Sequence, residues 1–266
     1  MQLKTLFAAA LLAVGSVGLA QAMPNLVQNG NFSDTSGVDA PTHDPAYTSQ
    51  QVGYNGFTVD HWTGAGYTIW YPGPTAAVSG CGYTQYHFPG SGSGDCSTLN
   101  AVGALLPDDS RTTTFLALDG VQTGLQGSIQ QQLSGLTNGA KYTVSFFWGT
   151  TQETQASNQV PSHDEHLQVS FGGSSQSTSP DVTTNWGNFE GWFQTSFTFT
   201  ADSTNPWLQF MAFGAPSDGP PMILLTGVSV TQDVPEPPEL ALFGGGLLCL
   251  GLLTVFARRR ALRHQA

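Results

Sequence analysis

The chain carries two long apolar runs, one near each end, separated by a region with a different pattern. The first run extends from Leu6 to Leu19 and the second from Leu240 to Ala257. The second contains eighteen residues. A helix of that length is roughly 27 Å long, close to the roughly 30 Å hydrocarbon core of a bilayer. Residues 240–257 are therefore predicted to form a transmembrane helix.

The region between the runs, residues 23–232, shows the two-residue period of β-strands. Tyr142, Val144, Phe146 and Trp148 fall on one face of an extended chain, and Phe197 and Phe199 do the same. Short segments of this kind, bounded by Gly, Pro, Asn and Ser, predict an all-β fold, an antiparallel β-sandwich of the jelly-roll type. The clearest segments are Phe57–Val59, Tyr67–Tyr71, Thr113–Leu118, Gly127–Leu133, Lys141–Trp148, His166–Phe171, Trp192–Thr200, Trp207–Phe213 and Ile223–Thr231.

The first apolar run has the layout of a secretory signal peptide. Lys4 precedes it, and Ala20-Gln21-Ala22 follows it as an Ala-x-Ala cleavage site. We therefore expect residues 1–22 to form a signal helix that is removed after export across the inner membrane.

A short spacer and a basic tail flank the second run. Residues 233–239 contain Pro235, Glu236 and Pro237, and residues 258–266 begin with Arg258, Arg259 and Arg260. The arginines favour a cytoplasmic tail with the sandwich outside. The three-part pattern resembles the PEP-CTERM sorting signal of Gram-negative bacteria, which implies an exosortase as processing partner. A plain membrane anchor is the alternative.

Charge excludes one class of partner. Residues 23–232 keep only Arg111 and Lys141 as basic residues against fifteen Asp and Glu, a net charge near −13. Nucleic-acid binding needs many more Lys and Arg side chains. Acidic polysaccharides and anionic lipids would be repelled as well, which leaves neutral glycans, or glycans bridged by divalent cations.

Cys81 and Cys96 lie in a Gly- and Ser-rich stretch of the exported region. Because exported proteins fold in an oxidising compartment, we expect them to form a disulfide. The closed loop of about fifteen residues would stabilise the fold by roughly 3 kcal/mol.

Four stretches resemble, in order, the strands of galactose-binding-like jelly rolls, including DUF642-type domains. They are Asn25–Phe32, Leu118–Gly120 followed by Gly127–Gln131, Leu133–Phe146 and Gly227–Thr231. Asn138-Gly139 predicts a tight turn between two strands of the third stretch. The resemblance implies a carbohydrate-binding fold, in some members with a structural calcium between the first and last strands. Thr226 and Gly227 stand where that group often carries an Asp, so a calcium ligand is missing. No other cofactor is expected.

The densest polar cluster is Ser162–His166, which holds two imidazoles and two carboxylates. A divalent metal on His163 and His166 is one interpretation. In an extended chain the two side chains point to opposite faces, so a solvated loop is the other interpretation.

Aromatic residues offer a further class of site, since exposed rings stack on sugars. Tyr71, Tyr83, Tyr86, Phe88 and Trp186 lie in loop-like sequence, and packing under the Cys81–Cys96 loop competes with sugar binding by Tyr83, Tyr86 or Trp186. Trp62, Trp148, Trp192 and Trp207 lie in strand patterns and are expected in the core, with His61 at the surface.

No catalytic motif is evident, and a Gly-x-Ser-x-Gly elbow is absent. The sequence therefore favours a non-catalytic, surface-sorted protein of the extracellular matrix that binds carbohydrate, with exopolysaccharide as a partner. The secretion machinery would export it, and the transmembrane helix would anchor the precursor in the membrane before processing. A polysaccharide hydrolase with distant paired carboxylates and a purely structural or adhesive surface protein remain the alternatives.

Overall fold

The structure, a computed structural model, describes residues 23–37, 50–54, 56–72, 114–121, 126–152, 162–185, 189–216 and 221–233. The chain divides into two compact units, residues 1–231 and 232–266. Within the described residues no helix has the length and apolarity needed to cross a membrane. The predicted signal peptide, spacer motif, membrane helix and arginine tail lie outside them.

Regular secondary structure in the described part consists of strands, as the two-residue period predicts. In chain order they are β1 (Thr35–Ser36), β2 (Gln50–Gln51), β3 (Thr58–Val59), β4 (Thr63–Ala65), β5 (Thr68–Tyr71), β6 (Phe115–Asp119), β7 (Ser128–Gln132), β8 (Lys141–Gln152), β9 (His163–Phe171), β10 (Ser174–Ser177), β11 (Val182–Thr184), β12 (Phe189–Thr200), β13 (Trp207–Ala215) and β14 (Pro221–Gln232). Each of the nine predicted segments corresponds to one of them, so the all-β expectation is confirmed for this part of the chain.

Two six-stranded sheets form the body of the fold. The first sheet has the strand order β12-β8-β14-β6-β5-β2. The second sheet has the order β10-β9-β13-β7-β4, and β11 also pairs with β9. The pairs whose register is described are antiparallel, and β1 and β3 form a separate antiparallel pair.

The main core lies between the two sheets. Val144, Phe146 and Trp148 of β8 are buried there together with Leu208 and Phe210 of β13. The rings of Phe146 and Phe210 meet edge to face with centroids 5.2 Å apart. This arrangement confirms the predicted face of β8, and the packing is of the kind that stabilises a sandwich through apolar burial.

The tight turn predicted at Asn138-Gly139 leads into β8 as expected, but residues 133–136 before it are not part of a strand. The turn is present, and Gly139 has the positive φ of 82° that favours glycine. However, β7 belongs to the second sheet and β8 to the first. The turn therefore carries the chain from one sheet to the other, which a local pattern does not distinguish from a hairpin.

The predicted opening strand, Asn25–Phe32, is not a regular strand. It runs beside the closing strand through two backbone hydrogen bonds, from Leu26 N–H to the Val230 carbonyl (2.9 Å) and from Val228 N–H to the Gly30 carbonyl (2.8 Å). A Cβ on Gly30 would lie 2.0 Å from the Val228 carbonyl oxygen. Gly30 is therefore required by close approach of two backbones.

Candidate functional site

The outward side chains of three neighbouring strands in the second sheet form one continuous surface, which we name the amide face. Its strands β9, β13 and β7 lie side by side, with β13 in the middle. Because alternate residues of a strand share a face, the residues opposite the buried core rows point outward. The amide face consists of Gln130, Gln132, His166, Gln168, Ser170, Trp207, Gln209, Met211 and Phe213, with Thr63 of β4 at its margin.

Polar side chains line up across this face. Ser170, Gln209, Gln130 and Thr63 occupy directly paired positions on β9, β13, β7 and β4. Neighbouring strands lie about 4.8 Å apart, so the row offers closely spaced donors and acceptors. The side-chain amides of Gln130 and Gln209 form no hydrogen bond with any described residue. They are free to bind a ligand.

Trp207 marks one end of the amide face. Its side chain is 45 % exposed, so the expectation that it belongs to the core is wrong. Trp62 and Trp148 are buried as expected, whereas Trp192 is half-buried. Trp207 begins β13 directly opposite Gln132, beyond the last interior row of the sheet. The Gln132 amide donates to the Asn205 carbonyl at 3.3 Å, so the nearest free amide on β13 is that of Gln209, two residues along the strand. An exposed indole can stack on a ring, and an amide farther along the strand can bond the substituents of that ring.

The other end carries a stacked pair of rings. Phe213 and His166 are directly paired across β13 and β9, with ring centroids 5.0 Å apart and planes within 8°. His166 Nδ1 lies 3.4 Å from Asp181 Oδ1, which holds the imidazole parallel to the phenyl ring. This end is therefore aromatic as well.

The amide face carries no Asp, Glu, Lys or Arg. Asp164 and Asp181 border it beyond His166. Residues 23–232 have a net charge near −13, but none of that charge lies on the residues of the amide face. An uncharged ligand can bind there without stripping water from charged side chains, a step that costs free energy.

The predicted metal ligands do not converge. His163 and His166 both belong to β9, which begins at His163 instead of His166, so the predicted solvated loop is wrong. His163 is fully buried and faces the core, while His166 faces outward. No group of three or more His, Cys, Asp or Glu that could hold a metal occurs among the described residues.

A polar end of the core was missed by sequence reasoning. Glu165 and Thr184 are fully buried, and the Thr184 hydroxyl donates a hydrogen bond to the Glu165 carboxylate. Burial raises the pKa of Glu165 well above its usual value, opposed by hydrogen bonds from Thr184 and from the backbone of Met222. Glu165 continues the buried row of β9, and that alternation was the available signal.

A second buried carboxyl lies on the far side of the first sheet. Asp119 alternates with the core residue Leu118 and therefore faces away from the second sheet. Burial raises its pKa from 3.8 to about 6, although the Val121 N–H donates a hydrogen bond to it at 2.8 Å. Because the first sheet separates Asp119 from Glu165, these two carboxyls do not face each other as a catalytic pair.

The residues at the predicted calcium position do not fit calcium. The Thr226 hydroxyl donates to the Thr114 carbonyl at 2.6 Å, and the Thr114 hydroxyl donates to the Asn31 carbonyl at 2.5 Å. These hydroxyl and carbonyl oxygens are hydrogen-bonded to one another, and none of them is a carboxylate oxygen. Calcium requires several oxygen ligands, charged ones among them.

The remaining predicted site residues cannot be placed. Tyr83, Tyr86, Trp186, Cys81 and Cys96 lie outside the described residues. Tyr71, predicted to be loop-like, is fully buried in β5 and stacks on Phe115. The amide face itself was detectable in the sequence as the outward half of the alternation, in Gln130-x-Gln132 and Trp207-x-Gln209.

Residues 115–224 match the DUF642 family model, described as a protein of unknown function. The match runs from the first residue of β6 into β14 and includes all of β7, β9 and β13, which carry the amide face. No curated protein sequence matches the chain.

Several solved structures are similar to this chain. The carbohydrate-binding module TmCBM61, in complex with beta-1,4-galactotriose, is 11 % identical with a TM-score of 0.40, over 79 % of this chain and 99 % of that one. A second, described as CBM4, is 14 % identical with a TM-score of 0.32, over 78 % and 99 %. The enzymatically active domain of tailspike protein 4 from bacteriophage CBA120 is 11 % identical with a TM-score of 0.36, over 79 % and 21 %. The chain thus spans about a fifth of that tailspike domain. The ligands and activities in these descriptions belong to those proteins and are not assigned to this chain.

Proposed function

We propose that this chain is a carbohydrate-binding protein whose amide face binds a neutral polysaccharide. The observation that carries the proposal is the combination of an exposed Trp207 with free amides on Gln130 and Gln209, on a surface without charged residues. A flat indole packs on the apolar face of a pyranose ring. Amides donate and accept at once, as sugar hydroxyls require.

Binding fits the structure better than hydrolysis. Hydrolysis of a glycosidic bond uses two carboxyl groups that flank the bond. Asp119 and Glu165, the two carboxyls whose pKa is raised, lie on opposite sides of the first sheet. The amide face contains no carboxylate.

We also propose that the protein is exported and sorted to the cell surface. The signal-peptide pattern of residues 1–22 supports export, and the Pro235-Glu236-Pro237 spacer, the apolar run at 240–257 and the arginine tail support exosortase processing. Exopolysaccharide is then the partner that a surface protein with a glycan-binding face would meet. Mass spectrometry of the mature C-terminus tests the sorting proposal, and a product that retains Arg258–Arg260 would contradict it.

The binding test uses the full chain, purified in detergent, against soluble polysaccharides. Galactans, glucans and xylans represent neutral ligands, and alginate and polygalacturonate represent acidic ones. In affinity electrophoresis we expect retardation by at least one neutral polymer and by neither acidic one. Trp207→Ala and Gln209→Ala should each weaken that binding roughly tenfold, because anchors of an interface contribute most of its affinity.

Two variants serve as matched controls. Tyr54→Ala removes another exposed aromatic ring, and Gln194→Ala removes an exposed amide from the first sheet. Both should bind as the parent protein does. Absence of binding to every neutral polymer, or full binding by Trp207→Ala, would refute the proposed function.

A further inference from the structure

The aromatic groups of the amide face lie along one strand. Trp207 and Phe213 are both on β13, and Gln209 and Met211 occupy the two outward positions between them. Six residues of antiparallel strand span about 20 Å. The row Ser170–Gln209–Gln130 across the strands contains only polar side chains, and each of the other rows has its apolar residue on β13. The apolar groups of the face are thus arranged lengthwise.

Polar side chains flank this row on both sides. Gln168 of β9 stands directly opposite Met211, and Gln130 of β7 stands opposite Gln209. Neither amide forms a hydrogen bond with a described residue. Strand β13 thus supplies a floor that is aromatic at both ends, and β7 and β9 supply free donors and acceptors along its two edges.

Resting on the proposed function, we propose that the ligand is an extended, uncharged glycan chain that lies along β13, with one sugar on Trp207 and another on Phe213 and His166. The apolar faces of sugar rings match the aromatic floor on β13. The hydroxyl groups at the rim of each sugar ring match the free amides on β7 and β9. A disaccharide reaches only one aromatic end, whereas a chain of several rings reaches both. Asp181, next to His166, disfavours a negatively charged sugar at that end.

The test measures affinity against chain length for whichever neutral polysaccharide binds the full chain. In calorimetry its hexasaccharide should bind at least about tenfold more tightly than its disaccharide, since two anchors act together. Phe213→Ala should weaken hexasaccharide binding roughly tenfold and leave the disaccharide unchanged or nearly so. Phe213→Leu keeps apolar volume, and it should show the same loss if the alanine variant fails to fold.

The outcomes separate this inference from the proposed function. If no neutral polysaccharide binds, the proposed function itself fails. If binding occurs with equal affinity for disaccharide and hexasaccharide, or if neither Phe213 variant changes the hexasaccharide affinity, the lengthwise orientation is wrong. A larger loss from Ser170→Ala with Thr63→Ala than from Phe213→Leu would place the ligand across the strands and overturn it as well.

Discussion

One part of the outer face of the first sheet, at β5, β6 and the start of β14, differs sharply from the amide face of the second sheet. At β5, β6 and the start of β14 in the first sheet the outward residues are apolar and buried. We name this cluster the apolar face: Ile69, Tyr71, Phe115, Ala117, Met222 and Leu224, with Phe189 and Trp192 packed against it. On the second sheet the amide face is polar, uncharged and partly exposed. A sandwich needs only the core between its sheets. This part of the first sheet therefore has a second apolar layer to bury, and the amide face of the second sheet is partly exposed to solvent.

The difference is visible strand by strand. All five residues of β6 are buried, because it carries apolar side chains on both faces. Strand β13 alternates, with Leu208, Phe210 and Ala212 buried and the residues between them outside. Continuous apolar runs are typical of strands covered on both faces, and alternation is typical of strands with one solvated face. The comparison predicts that substitutions in the two faces will separate stability from binding.

The largest effect should come from the centre of the apolar face. Phe115 is fully buried, stacks on Tyr71 at 5.1 Å and meets Trp192 edge to face at 5.9 Å. Phe115→Ala should lower the free energy of unfolding by about 3–5 kcal/mol, from lost burial and the cavity left behind. Urea denaturation measures this. A loss below about 1 kcal/mol would show that the face is not a packed layer.

A smaller, pH-dependent effect should come from Asp119 on the same face. Burial raises its pKa from 3.8 to about 6, so the folded state binds the proton more tightly than the unfolded state. The contribution of Asp119 to the free energy of unfolding is then fully present below about pH 4 and is lost as the pH rises through about 6. The loss is roughly 3 kcal/mol at most. Asp119→Asn should remove this loss, since an amide does not ionise.

Denaturation at two pH values tests the prediction. Asp119→Asn should be more stable than the parent by roughly 2–3 kcal/mol near pH 7.5 and equally stable near pH 4. Asp34→Asn, at an exposed position, is the control and should show no such pH-dependent gain. An Asp119→Asn gain that is the same at both pH values would mean that desolvation of the carboxylate is not the cause.

Local sequence pattern was sufficient for the elements themselves. Alternation located the nine main strands, placed the Tyr142–Trp148 row in the core and separated the buried Trp62 from the exposed His61. A period-two pattern is a local signal, because the residues of one strand by themselves show that one of its faces is apolar and is therefore buried. The short strands β1, β2, β4, β10 and β11 were not predicted, and β3 and β5, which are as short, were predicted from their Phe, Val, Ile, Trp and Tyr residues and not from a period.

Long-range pairing could not be predicted from the same pattern. The Asn25–Phe32 motif is explained by partners far along the chain: the Asn25 carboxamide oxygen accepts from Val230 N–H, and the Asn29 amide donates to the Asp60 carbonyl. Trp207 was assigned to the core because its strand is apolar, yet its own position falls on the outward row. The strand partner decides the first case, and sequence periodicity carries no such information. In the second case the alternation of Trp207 with Leu208 and Phe210 was the available signal.

Two adjacent glutamines sharpen the comparison within one strand. Gln131 is buried, accepts from the Gln28 N–H and donates to the carbonyls of Gln28 and His61. Gln130 faces outward and binds no described residue. Gln131→Ala should cost about 2 kcal/mol because buried backbone groups lose their partners, and Gln130→Ala should cost under about 0.5 kcal/mol. Only Gln130→Ala should also weaken glycan binding. Equal effects on stability would contradict the assigned faces of β7.

A small effect on stability should also come from Trp207, although its loss is expected to weaken binding roughly tenfold. Its indole is 45 % exposed and lies at the end of β13, so truncation leaves no cavity in the core. Trp207→Ala should change the free energy of unfolding by less than about 1 kcal/mol, as surface substitutions usually do. Trp148→Ala, which empties a buried position on β8, is the matched control and should cost about 3–5 kcal/mol. Should Trp207→Ala destabilise the protein as much as Trp148→Ala, its loss of binding would report unfolding, and Trp207 would no longer identify the amide face as a ligand surface.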